Sequence, residues 1–144
     1  MKYSTETTIA RPPAEVFDLL IDSAHYPDWM DGLLRMEVKS GKPGAVGTKT
    51  ELVHAMGKRE VAMEETIVER EAPHRLVVTY TSGSVWNEQD NSLSDDGQGG
   101  TRWLAKTEFR CRGVMWAMTK AMPGMFKKQT RKGMMDFKAF VEGR

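Results

Sequence analysis

The sequence has little of what several functional classes require. A single cysteine, Cys111, excludes an internal disulfide and a cysteine-based zinc cluster. The histidines His25, His54 and His74 lack the spacings that build a metal site on one element, so no metal is predicted. No apolar run approaches the ~18 residues that a membrane-spanning helix needs. The net charge of +1 gives no overall attraction for nucleic acid, and no nucleic-acid partner is expected.

What the sequence does contain is the composition of one ordinary domain. Its 144 residues are 28% charged and 40% apolar, which is typical of a globular chain able to bury a core. We see no repeat and no linker, so residues 1–144 are predicted to form a single domain. The start of the chain alternates polar and β-prone residues and does not resemble a secretory leader, which favours a cytoplasmic protein.

The first thirty residues predict one strand followed by two short helices. Lys2 to Ala10 alternates around threonines, as a strand does. Two prolines then introduce a helix that reaches about Asp22, because proline suits the first turn of a helix. A second helical segment around Ser23 to Trp29 is predicted to end at Pro27.

The middle of the chain predicts an antiparallel sheet. Thr101 to Cys111 alternates most clearly, with Trp103, Thr107 and Phe109 on one face and charged residues on the other. A one-sided pattern of this kind is typical of a sheet with one buried and one solvated face. Further strands are predicted over Leu34–Val38, Thr48–Met56, Glu60–Arg70, Arg75–Thr81 and Val85–Leu93.

The C-terminal stretch from Val114 to Gly143 is predicted to be helical, with a break at Pro123–Gly124. The long second helix is expected to present one stripe to the sheet. That stripe contains Phe126, Gln129, Gly133, Phe137 and Phe140. Because the helices are segregated from the run of strands, the fold class is α+β.

This order of elements resembles the START/Bet v 1-like (SRPBCC) superfamily, and within it the bacterial polyketide cyclase/dehydrase-type proteins. The matching segments are Pro13–Phe17, Tyr26–Trp29, Pro43–Thr48, Gly99–Thr101 and Pro123–Phe140. The resemblance covers essentially the whole chain. It implies a helix-grip fold, in which a curved antiparallel sheet of about seven strands wraps around a long C-terminal helix. It also implies a pocket for an apolar small molecule between them, but supplies no family-wide catalytic motif.

Methionine and aromatic side chains are the candidate walls of that pocket. Six of the eleven methionines lie between Met115 and Met135, and flexible methionines suit cavities that accept varied apolar shapes. The same residues are also expected of an ordinary core between helix and sheet. The predicted ligand-binding residues are Met56, Met63, Tyr80, Trp86, Trp103, Thr107, Phe109, Met118, Met122, Met125 and Phe126.

Two titratable residues are candidates for a catalytic or orienting role. Glu65 is in phase with Val61, Met63 and Ile67, so an inward carboxylate there would have a raised pKa and could act as a general acid or base. A position at the edge, in water or beside an arginine, is the alternative. His54 is in phase with Thr48, Thr50, Leu52 and Met56, and could form a hydrogen bond to a ligand or transfer a proton. A histidine with its hydrogen bonds satisfied, or one on the surface, is the alternative.

The start of the long helix is basic. Its first turns contain Lys127, Lys128, Arg131 and Lys132. From Gly113 onward the chain has seven basic residues and two acidic residues. Such a helix could contact anionic lipid, RNA or an acidic partner. A solvated outer face is the alternative.

Three functions stay open at this point. The first is a carrier-type binder of a lipid, isoprenoid, polyketide or steroid-like molecule, with no cofactor and no enzymatic activity. The second is a cofactor-independent polyketide aromatase/cyclase with Glu65 or His54 as the acid or base. The third is an interaction protein that uses the basic helix. The ligand and the oligomeric state are not predicted.

Overall fold

The computed structural model describes residues 1–144 and contains seven strands and four helices. The strands are β1 Lys2–Ile9, β2 Leu33–Ser40, β3 Lys49–Met56, β4 Arg59–Glu71, β5 Arg75–Ser82, β6 Val85–Asp95 and β7 Thr101–Cys111. The helices are α1 Pro13–Ile21, α2 Tyr26–Trp29, α3 Val114–Ala121 and α4 Pro123–Glu142. One 3₁₀ turn, Ser23–His25, precedes α2. None of these helices has the length and hydropathy of a membrane span.

All seven strands form one antiparallel sheet in the order β1-β7-β6-β5-β4-β3-β2. Strands β2 to β7 pair with their neighbours in sequence, and β1 closes the row beside β7. Register shifts interrupt the β2–β3 and β4–β5 pairs. Such bulges bend a sheet, which contributes to its curvature. The predicted α+β class with about seven curved strands is confirmed.

The core lies between the concave face of this sheet and helices α1 and α4. Its centre is Phe137, which is fully buried and packs edge-on against Trp103 at 5.4 Å and Trp29 at 5.0 Å between ring centroids. Helix α4 runs along β1, where the Thr5 hydroxyl donates to the Met134 sulfur at 2.9 Å. The remaining core side chains come mainly from α1 and from the middle strands: Val16, Phe17, Leu19, Leu20, Ile21, Ile67, Leu76, Val78 and Leu93.

Two details of the helices differ from the predictions. Gln129 is exposed, and the buried residues of α4 are Phe126, Met134, Phe137 and Val141. These residues are spaced by eight, three and four positions, so they lie on one face of a helix with 3.6 residues per turn. Gln129 lies outside that face. Pro27 does not end a helix, because it lies in the first turn of α2, where its missing N–H costs nothing.

The glycine-rich segment after β2 is a turn between two strands. Gly41 has φ +85°, and a Cβ placed on it would lie 2.8 Å from the Thr48 hydroxyl oxygen. Positive φ and this close approach both require glycine at that position. Because a strand follows the turn, it lacks the helix N-terminus of a phosphate-binding loop.

Candidate functional site

A buried carboxyl lies at the centre of the concave face. Glu65 is on β4, where the strand register places it between Thr50 of β3 and Tyr80 of β5. The side chain of Glu65 is only 3% exposed. Its inward orientation follows the alternation seen in the sequence, since Ile67 on the same face is part of the core. The alternative of a carboxylate in water or paired with an arginine is therefore wrong.

Tyrosines, and no cation, surround this carboxyl. The Tyr26 hydroxyl at the start of α2 lies 2.9 Å from Glu65 Oε1 and 3.0 Å from Oε2, and donates to the carboxyl. Burial raises the pKa of Glu65 from 4.5 to about 7, and the hydrogen bond from Tyr26 and the neighbouring Tyr80 hydroxyl act in the opposite direction. Burial, reinforced by the charge of Glu65, also holds the pKa of both tyrosine hydroxyls well above their usual value. Glu65 can therefore both give and take a proton near neutral pH.

Three other buried polar atoms have no hydrogen-bond partner within the chain. They are Trp29 Nε1, His54 Nδ1 and Thr107 Oγ1. Thr107 faces the helices from β7, as its place in the alternation predicts, and His54 lies on the same side of β3. Burial lowers the pKa of His54 below its usual value, so its imidazole is neutral at physiological pH. Unpaired buried polar atoms are costly, and a polar group of a ligand could satisfy them.

Strand β6 is polar on both faces, so the sequence does not show which of its side chains point inward. The structure shows that two asparagine side chains of β6 do so. The register pairs Asn87 with Tyr80 and Phe109, and Asn91 with Leu76 and Ala105, so odd-numbered residues of β6 face the helices. Asn91 accepts from the Trp103 indole at 2.9 Å and donates to a backbone carbonyl at 3.1 Å. Glu88 and Asp90 consequently face outward.

The predicted pocket walls divide into two groups. Tyr80, Trp103, Thr107 and Phe109 share the concave side with Met63, and Phe126 of α4 packs against Phe109 at 5.1 Å between ring centroids. Trp86 does not face the helices. It lies opposite Arg110 on the outer face, with the guanidinium 4.6 Å from the centre of its ring, and this stacking covers its apolar surface.

The methionines are less enclosed than predicted. Met56, at the tip of the β3–β4 hairpin, is 60% exposed, and Met122 and Met125, at the junction of α3 and α4, are also exposed. They belong to the rim of the fold, because hairpin tips and helix junctions protrude from the sheet. Only Met63 and Met118 among the methionines predicted to line the pocket are partly buried.

One half of the concave face remains partly open. Beyond Glu65, toward the β3–β4 hairpin, the inward residues His54, Val61 and Met63 keep partial exposure, as do Tyr80 and Phe109 on neighbouring strands. The core cluster lies toward the opposite end, where α1 covers the sheet. Glu65 thus lies at the boundary between a closed core and an accessible, mainly apolar surface.

A separate groove lies on the surface of the protein. It has a volume of about 690 Å³ and runs between α2 with its following loop and α4. Trp29 forms part of its wall and packs edge-on against Tyr26 at 5.8 Å between ring centroids. Glu65 and Tyr80 do not line it. A second depression, of about 410 Å³, is mostly polar and involves β1, β6 and β7.

Tyr26 is the functional candidate that sequence reasoning missed as a site residue. It is separated from Glu65 by 39 positions and lies on a four-residue helix. A helix that short has too little periodicity to show which way its side chains point. The chain brings no three His, Cys, Asp or Glu side chains together in a way that could hold a metal ion.

Comparison with solved structures identifies the fold as Bet v 1-like. Ara h 8.0201 is 15% identical, with all of this chain and 99% of that chain covered, at a TM-score of 0.82. Norcoclaurine synthase from Thalictrum flavum, in complex with dopamine and hydroxybenzaldehyde, is 15% identical over 96% of this chain and 84% of that one, at 0.74. A protein from Thermus thermophilus is 16% identical over 98% and 97% of the two chains, at 0.76. At these identities the likeness shows the fold alone.

The sequence itself identifies the family. The profile of the polyketide cyclase / dehydrase and lipid transport family matches residues 1–142. The chain therefore belongs to that family, and the resemblance to the SRPBCC superfamily is confirmed. Binding of hydrophobic small molecules is the property that the family supports. No curated protein sequence shows significant similarity to this chain.

Proposed function

We propose that the protein binds an apolar small molecule against the open half of its concave face and holds the polar end of that molecule at Glu65. The observation that carries this proposal is the buried Glu65 carboxyl. It accepts a hydrogen bond from Tyr26 and lies next to partly exposed apolar side chains such as Met63. A site of this kind, apolar with a few convergent polar groups, is the usual form of a ligand pocket.

The chemistry around Glu65 limits the ligand. The carboxyl is protonated for part of the time near neutral pH, so it can donate to a carbonyl or accept from a hydroxyl. Lipids, isoprenoids, polyketides and steroid-like molecules with such an oxygen fit this requirement. A fully enclosed cavity between the sheet and α4, and a cytoplasmic location, stay predictions.

A matched pair of ligands tests the proposal. A fatty alcohol and the alkane of equal chain length are titrated against a fluorescent apolar dye bound to the purified protein. The alcohol should bind about 10-fold tighter or more, because a hydrogen bond to a charged or ionisable group contributes about 1.5–3 kcal/mol. The variant Glu65→Leu should lose this preference, with native mass spectrometry as an independent readout.

Glu64→Leu is the matched control, because Glu64 adjoins Glu65 on the same strand, pairs with Lys49 at 3.2 Å and faces outward. It should keep the preference for the alcohol. If Glu65→Leu fails to fold, the double variant Tyr26→Phe with Tyr80→Phe replaces it and should weaken the same preference. Equal affinity of the wild-type protein for alcohol and alkane, or no displacement of dye, refutes the proposal.

A second function, cofactor-independent cyclisation and dehydration of a poly-β-ketone, is favoured by the pKa of Glu65 near 7. The ionised carboxyl would take a proton from a carbon between two carbonyls, and that carbon would attack a ketone of the same chain to close the ring. The carboxyl would return the proton to the alkoxide that forms. It would then take the second proton of the same carbon and give it to the new hydroxyl, which leaves as water while a carbon–carbon double bond forms. His54 lies on the same face, but pairs with Val61, four residues from Glu65, which places it roughly 13 Å away along the strand. Glu65 is therefore the stronger candidate for both proton transfers.

Turnover of a poly-β-ketone thioester tests this second function. Glu65→Gln should abolish product formation, whereas His54→Gln should retain it, because only Glu65 has the required proton equilibrium at neutral pH. Full activity of the double variant Glu65→Gln with His54→Gln would rule out the assignment.

A further inference from the structure

Helix α3 is an apolar surface that the fold leaves uncovered. None of its eight side chains is buried. Val114 is 78% exposed and Trp116 is 54% exposed, and Met122 and Met125 follow at 53% and 39%. These exposed apolar side chains all lie in the short segment from Val114 in α3 to Met125 at the start of α4. Exposed apolar surface concentrated in one segment marks an interaction surface. We call the set Val114, Trp116, Met122 and Met125, with Lys120, Lys127 and Lys128, the α3 patch.

The segment of sequence that contains the α3 patch carries charge of one sign. Residues 109–135 contain seven Lys and Arg and no Asp or Glu, so the other residues hold 14 basic and 20 acidic side chains. Lys120, Lys127 and Lys128 form no ion pair. Lys132, further along α4, is instead paired with Asp31 at 3.2 Å and Asp136 at 2.7 Å. Three unpaired lysines thus accompany the exposed apolar side chains of this segment.

From these observations we infer that the α3 patch docks the protein on an anionic lipid bilayer. Lysines attract the negative surface, while Trp116 and its apolar neighbours enter the boundary between headgroups and acyl chains, where tryptophan is favoured. Lys120 Nζ lies 5.8 Å from the centre of the Trp116 ring. A bilayer that contacts the ring would therefore also contact the ammonium group.

The charge distribution disfavours a second copy of the chain as the occupant. In a two-fold symmetric dimer the same patch faces itself, and its lysines would oppose each other with no acidic residue between them. A nucleic acid is disfavoured because a single tryptophan offers no row of aromatic side chains for stacking bases. This inference is independent of the ligand at Glu65.

Vesicle sedimentation of the full chain tests the inference. Vesicles of phosphatidylcholine alone are compared with vesicles that also contain phosphatidylserine. The wild-type protein should bind the second kind, and added salt should weaken that binding. The triple variant Lys120→Gln, Lys127→Gln, Lys128→Gln should bind about 100-fold more weakly, at about 1 kcal/mol for each lysine near the surface. Trp116→Ser should lose about 10-fold through its lost apolar burial.

Lys42→Gln, Lys58→Gln, Lys106→Gln is the matched control, since these lysines are exposed, unpaired and outside the α3 patch. It removes the same charge and should keep vesicle binding within about two-fold of the wild-type protein, because attraction falls off within a Debye length. Equal binding of the wild-type protein to both vesicle types, or an unaffected α3-patch triple variant, overturns the inference. So does a concentration-dependent dimer that Trp116→Ser dissociates while vesicles are not bound.

Discussion

Replacing Glu65 with Gln is expected to remove a large part of the pH dependence of folding stability. In the unfolded chain the carboxyl ionises near pH 4.5, but in the folded protein only near pH 7. Below pH 4.5 the proton is bound in both states. As the pH rises toward 7, only the unfolded state ionises, so the folded state loses stability. The difference between the two pKa values corresponds to about 3 kcal/mol of the free energy of unfolding, and this contribution is lost in full above pH 7.

Urea unfolding between about pH 4 and about pH 8.5, which spans both pKa values, measures this effect. Glu65→Gln keeps an oxygen that accepts from Tyr26, but has no proton equilibrium, so it should exceed the wild-type protein in stability by up to about 3 kcal/mol at alkaline pH. Glu64→Gln, on the outer face of the same strand, should retain the wild-type slope. Parallel curves for Glu65→Gln and the wild-type protein would show that Glu65 ionises normally in the fold.

Replacing Phe137 with Ala is expected to destabilise the fold by about 3–5 kcal/mol. The ring is fully buried between Trp29 and Trp103 and joins α4 to both α2 and the sheet. Its removal leaves a cavity that rigid strands on one side cannot fill. Because Trp29 also packs on Tyr26, the loss should loosen the hydrogen bond to Glu65 as well.

Phe140→Ala is the matched control on the same helix. Phe140 is partly exposed, and its ring centre is 6.3 Å from that of Phe137. Chemical denaturation should show a loss for Phe140→Ala of less than half that for Phe137→Ala, because the Phe140 ring removes less apolar area from water when the chain folds. Similar losses for the two variants would mean that Phe137 is not the central contact of α4.

Strand faces were predictable where the alternation was one-sided. In β7 every second residue from Thr101 to Thr107 is buried, and their neighbours are charged or partly exposed. In β6 both faces are polar, so no hydrophobic pattern specified the register and Trp86 was assigned to the wrong side. A one-residue change in phase moves a side chain to the opposite face of a sheet.

The candidate site was predictable only in part for a similar reason. Alternation placed Glu65 and Thr107 on the inner face, because both lie in strands with clear apolar neighbours. The Tyr26–Glu65 hydrogen bond and the exposure of α3 depend on how helices pack, and local spacing carries no information about that. Methionine was a weak guide, since several methionines lie at exposed junctions and not in the core.

By itself the sequence determined the α+β class and the order of the elements, because hydrophobic periodicity and turn residues act over a few positions along the chain. The family follows from the likeness of residues 1–142 to the family profile. Only the tertiary structure decided that a carboxyl 39 positions from Tyr26 meets its hydroxyl in the core, and that α3 remains uncovered. Burial, pKa and long-range contacts are properties of the packed molecule, because they depend on which surfaces exclude water.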